Sequence, residues 1–165
     1  MTPTPLAEYH DFFGASVGAA AALIGLLFVS VSIAPERTFG ANADRVRRAD
    51  AERAFTAFAN AFFVSLAALL PRSSVGAIAV IAAISLIQVA RLALAAWRER
   101  GQTVPWRELG LLSVAIYAIQ LWLALKLLSG GEIHDGLIWV VFGLYSYALG
   151  TAWSLLGSRD NRKRR

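Results

Sequence analysis

The chain has 165 residues, a formal net charge of +5, no cysteine, and a hydrophobic fraction of 57% against only 16% charged residues. Soluble domains average about 45–50% apolar and 25% charged, so this composition argues against a water-soluble protein. The missing cysteines exclude disulfides, thiolate metal sites and cysteine nucleophiles, and the length is that of one domain.

The apolar residues collect in five stretches almost free of charge: 12–34, 54–71, 73–90, 109–125 and 136–157. Each approaches the roughly 20 residues that a helix needs to cross hydrocarbon. None alternates as a barrel strand does, and in lipid a backbone must satisfy its own hydrogen bonds, so each is expected to be a helix. The sequence predicts an all-α integral membrane protein, a single membrane domain over 1–165. Its five transmembrane helices are expected at 11–34, 53–70, 73–97, 107–128 and 135–157. Residues 1–5 (M-T-P-T-P) read as disordered and 158–165 as a basic tail. The first apolar run is too long, and its leader too acidic, for a cleavable signal peptide.

Basic residues set the orientation. Arg37, Arg45, Arg47, Arg48 and Arg53 follow the first span, and Arg98, Arg100 and Arg107 follow the third. Arg159, Arg162, Lys163, Arg164 and Arg165 follow the fifth. The opposite loops hold only Arg72 and Lys126. Short basic loops stay in the cytoplasm, which places the amino terminus outside, the carboxy terminus inside, and the protein as a multi-pass component of the plasma (inner) membrane. The lipid bilayer is one expected partner. Anionic lipid at the cytoplasmic face is another, each arginine near such a surface adding about 1 kcal/mol. Acids interleaved with these arginines argue against nucleic acid.

Taken in chain order, helix one opens on Glu8, His10 and Asp11 and carries the small-residue stripe Gly14, Gly18, Ala22 and Gly25. Such a stripe lets another backbone approach closely, either within the chain or across a dimer. The polar segment before helix two has acids and arginines at helical spacing, an amphipathic lead-in. Helix two places Asn60 near its centre, helix three carries Ser85, Gln88 and Arg91, and helix four carries Tyr117 and Gln120. With Ser146 of helix five these fall in one slab at mid-membrane, where polar groups face the protein interior or a wet path because lipid offers no partner. They are candidates for interhelical bonding or for a pore lining. Arg91 is close enough to the inner end to snorkel.

Helix five begins at Glu132, His134 and Asp135, a second E-x-H-D after the first at 8–11. Two imidazoles and four carboxylates would meet if helices one and five are neighbours, a ligand set suited to a divalent metal ion. The same residues serve as helix caps and dipole partners, or as a pH sensor. Gly136, Gly143, Gly150 and Gly157 then recur every seven residues, the period of a left-handed supercoil. That stripe marks helix five either as the centre of the monomer's bundle or as the element that packs around a symmetry axis.

No P-loop, HEXXH, nucleophile elbow or selectivity-filter sequence is present, and neither histidine lies at depth, so catalysis is the least favoured class. The leading expectation is a homo-oligomeric channel or transporter for an ion or small solute, with its path between subunits. The alternative is a membrane-embedded accessory or sensor protein whose outer E-x-H-D pair responds to metal or pH.

Overall fold

A computed structural model of the chain describes residues 9–33, 35, 45–70, 74–98, 105–129 and 134–157. The regular structure among them is helical throughout. Five long helices follow one another: α1 His10–Ser32, α2 Arg45–Ala68, α3 Ser74–Arg98, α4 Pro105–Leu128 and α5 His134–Gly157. The all-α expectation holds. Two of these helices, α1 over His10–Ser32 and α5 over Asp135–Trp153, are long and apolar enough to cross a membrane.

Four helices lie within a turn of their expected positions, and α2 does not. It begins at Arg45 rather than near position 53, because the polar lead-in is continuous with the apolar part. Local pairs support this lead-in: Arg48 Nε donates to Glu52 at 3.0 Å and Arg53 lies 3.5 Å from Asp50. α4 opens on Pro105, whose fixed φ and missing N–H suit the first helical position. The cap assignment needs correction. α1 starts at His10 with Tyr9 in the cap position, and Tyr9 makes no capping bond there. Asp11 and Asp135 sit inside the first turns of α1 and α5, where an acid complements the helix dipole.

α2, α3, α4 and α5 form a ring in which each packs on the next and α2 closes against α5, while α1 lies along α2 at the ring's edge. We call the end where α1, α3 and α5 begin the upper end, and the other the lower. The hub is α2, which packs on α1, α3 and α5. Of the two roles that the glycine repeat suggests for α5, bundle centre or oligomer axis, the first belongs to α2 instead. What qualifies α2 is alanine rather than glycine: Ala51, Ala54, Ala57, Ala61 and Ala68 are all buried, and these small side chains let three neighbours approach.

The core has two parts. Phe13, Val64, Ile78, Ala124, Leu137 and Val141 pack together at the upper end. Phe58, Tyr117, Leu144, Tyr147 and Ala148 belong to a second cluster that extends to Ala51 and Leu155 at the lower end. Rings link α1 to α5 at the upper end, with Phe12 and Phe142 centred 5.5 Å apart.

Candidate functional site

Asn60 and Gln120 lie at the same height, each about two-thirds of the way along a 24-residue helix, and the two helices run in the same direction. They face each other across the diagonal of the ring. Asn60 Nδ2 donates to Gln120 Oε1 at 2.9 Å, and Gln120 Nε2 donates back to Asn60 Oδ1 at 3.1 Å. Asn60 is 2% and Gln120 0% exposed. Each amide supplies the donor and the acceptor that the other lacks, so two groups that lipid or apolar core would leave unpaired satisfy one another. Tyr117, one turn before Gln120, is buried with its hydroxyl against the Asn60 side chain.

Below this pair the interior stays polar. Tyr147 of α5 is buried near Tyr117. Its hydroxyl lies beside Ser113 of α4 and close to Asp50 and Arg53 of α2, yet forms no well-shaped hydrogen bond among the described residues. Asp50 and Arg53 pair at 3.5 Å with side chains only 8% and 12% exposed. Thr151, a turn further down α5, satisfies itself by donating to the carbonyls of Tyr147 and Ala148.

A second polar knot stitches α1 to the ring. The Ser16 and Ser65 hydroxyls are 2.8 Å apart, and Tyr145 Oη lies 3.1 Å from Ser16 Oγ and donates to the Ser16 carbonyl at 2.5 Å. At the upper rim the Tyr9 hydroxyl donates to the Asp135 carboxylate.

The structure therefore divides the expected midplane set. Asn60, Tyr117 and Gln120 come together, and Ser85 is buried on α3, whereas Gln88, Arg91 and Ser146 face outward. Spacing along one helix fixes a residue's angle, but which angle is inside depends on where the neighbours dock. The two E-x-H-D segments do meet, through Tyr9 and Asp135, residues of which only the second was a candidate ligand. His10 and Asp11 are exposed and 3.8 Å apart. No group of three potential ligands forms among the described residues. Glu8, Glu132 and the side chain of His134 lie outside them, as do residues 1–5 and 158–165. The spacing of the glycines predicts helix packing. A Cβ placed at Gly14, Gly18, Gly25, Gly143 or Gly150 would meet nothing within 4 Å. Within the chain these positions face open space. Gly136 is half-buried, and Gly157 falls outside the residues whose surroundings are described.

Asp50, Tyr147, Ser16 and Ser65, all buried, and half-buried Tyr145 belong to the interior polar set without having been singled out from the sequence. Asp50 belongs to the amphipathic lead-in, whose charges suit the interface at the start of a span. Its one legible signal was Arg53, three residues on. The chain matches no protein-family model, no curated protein and no solved structure.

Proposed function

We propose that this protein is a multi-pass plasma-membrane protein of the channel or transporter class, built for an ion or small solute, with its amino terminus outside. All five helices cross the bilayer in this reading: 23 to 25 residues rise about 35 Å, enough for a hydrocarbon core of about 30 Å. The lower end is cytoplasmic, where the basic loops and tail meet anionic lipid.

The observation that carries the reading is the Asn60–Gln120 pair with Tyr117 in the ring interior. Direct bonds close the polar layer at mid-depth, and separating the two amides opens it. The pathway accordingly lies inside the ring rather than between subunits. Homo-oligomerisation remains part of the proposal: the open faces of Gly14, Gly18, Gly25, Gly143 and Gly150 suit close approach of a second copy. Flux of ions and small solutes into vesicles containing the pure protein is the test. Flux that changes at least about tenfold in Gln120→Leu, a barrier change of 1.36 kcal/mol, supports the reading.

A second reading, an accessory or sensor protein, is favoured by the Tyr9–Asp135 bond, which ties the two outer E-x-H-D segments together. Protein that passes no ion or solute in any condition, yet changes its binding to a partner when Asp135→Asn is introduced, favours this alternative.

A further inference from the structure

Ser146 sits at the middle of α5 and is turned outward. A helical hydroxyl commonly donates to the carbonyl one turn back, as exposed Ser30 does to Leu26 at 2.8 Å and Thr151 does to Tyr147 at 3.0 Å. The Ser146 hydroxyl makes no hydrogen bond among the described residues, and lipid offers it none.

The side chains around it form a face with two unlike flanks. At about 100° per residue, Trp139, Ser146 and Trp153 run down its centre, seven apart. Phe142 and Leu149 stand on one flank, and Gly143 and Gly150 on the other. Trp139 is 73% and Trp153 74% exposed, Phe142 and Leu149 about half. Phe142 is backed by Phe12 of α1, their ring centroids 5.5 Å apart, and by Trp139 at 6.1 Å, so the ridge is set before a partner arrives. The glycine flank is a hollow, since a Cβ at Gly143 or Gly150 would meet nothing within 4 Å.

A second copy complements this face. Copies in one bilayer point the same way, and a two-fold axis along the bilayer normal then sets the face against itself. That operation turns the Phe142–Leu149 ridge of each copy toward the Gly143–Gly150 hollow of the other. It also brings the two Ser146 hydroxyls to the axis, where each can donate or accept. Apolar area alone does not drive association in lipid, so this fit and the hydroxyl pair decide it. The size suffices: at about 150–250 Å² per aromatic side chain the ridge and indoles offer roughly 500 Å², and a pair buries about 1,000 Å², the lower bound for a specific interface. No residue from Gly136 to Ser158 is charged. The flanking Asp135 and Arg159 fall at the two bilayer surfaces, where water and salt screen them.

We propose that the outer face of α5 is the docking surface for a second copy of this chain, packed parallel about a two-fold axis with Ser146 at its centre. The dimer rests on the membrane placement proposed above, which gives all copies one orientation.

Because the chain has no native cysteine, single thiols report the contact cleanly. The full chain is reconstituted in vesicles as Ser146→Cys and as Gln88→Cys, which also faces outward near the middle of its helix, but on α3. Copper phenanthroline then oxidises facing thiols to a disulfide. Covalent dimer is expected about tenfold faster from Ser146→Cys than from Gln88→Cys, a ratio equivalent to 1.36 kcal/mol. Adding Gly150→Leu, which fills the hollow, should bring the Ser146→Cys rate down to that of Gln88→Cys with helical content by circular dichroism unchanged. Gly76→Leu, at an open glycine on α3, should leave that rate as it was. Equal rates from Ser146→Cys and Gln88→Cys overturn the docking surface, and a rate indifferent to Gly150→Leu overturns the ridge-and-hollow fit. Trp153→Cys chains should cross-link with one another and not with Trp139→Cys chains; the reverse overturns the parallel arrangement. Arg48→Cys and Ser129→Cys, both exposed and near opposite ends, test the membrane placement separately. If an impermeant sulfonatoethyl methanethiosulfonate fails to label them from opposite sides, that placement is wrong, whatever the α5 thiols do.

Discussion

Asn60 and Gln120 show how much a single pair of residues can settle. Each amide is fully enclosed, so truncating one leaves the other with an unmade bond, a penalty of about 1–2 kcal/mol. Asn60→Ala and Gln120→Ala are each expected to lower stability by that amount. The pair Asn60→Leu with Gln120→Leu should lose less than the sum, since no polar orphan remains. Denaturation of the four proteins in one detergent gives the cycle, and strict additivity would show that the two amides do not interact. Arg53 makes a harsher prediction. With Asp50 only 8% exposed beside it, Arg53→Ala leaves a buried carboxylate without this partner and should cost about 3 kcal/mol. Asp50→Asn combined with Arg53→Ala should recover part of that loss, and no recovery would show that the two charges are independent.

At the scale of elements, the glycines and alanines exchange the roles that their conformational properties imply. Small side chains permit close helix packing whichever residue supplies them, and in this bundle the buried small residues are mainly alanines, most of them on α2. The glycines of α1 and α5 face open space. Gly18→Ala and Gly150→Ala should therefore leave the monomer intact and raise helix stability, by up to about 1 kcal/mol each, the propensity difference between the two residues. Thermal unfolding measures this, and a loss of monomer stability would mean that these faces are packed within the chain. Gly18→Leu and Gly150→Leu test the second copy: a shift of the purified protein from oligomer to monomer is the expected result. Attachment of α1 is a different matter. It rests on α2 and on the Ser16–Ser65–Tyr145 knot, so Tyr145→Phe should speed amide hydrogen exchange in α1 ahead of the rest of the bundle. Uniform exchange across all five helices would remove the knot from that role.

For the whole molecule, the surface is the informative part. Phe28, Ile33, Val80, Ile87, Trp139 and Trp153 are each more than half exposed, on several sides of the bundle at once, and water would penalise such a surface heavily. The protein should stay with membranes after alkaline extraction, and release into the soluble fraction would end the five-span reading. The apolar surface was legible in the sequence because hydropathy is a sum over neighbours along the chain, and so was helix number, because each apolar run is bounded by charge, proline or glycine. Four boundaries followed from the same cue. The start of α2 did not, since its first turns are polar and their helicity comes from local charge pairs and from packing on α5.

Composition and order along the chain by themselves determined that this protein is helical, apolar on its outside, and divided into five long elements. Only the tertiary structure decided which faces are inside. Angle along a helix is fixed by position, but the inward direction is fixed by the partners, and those are chosen by long-range packing. That is why Asn60 and Gln120, far apart in sequence, became one closed layer while Gln88, on the same evidence, turned outward. It is also why Asp50, part of an amphipathic lead-in whose buried side the sequence leaves open, is buried beside Tyr147.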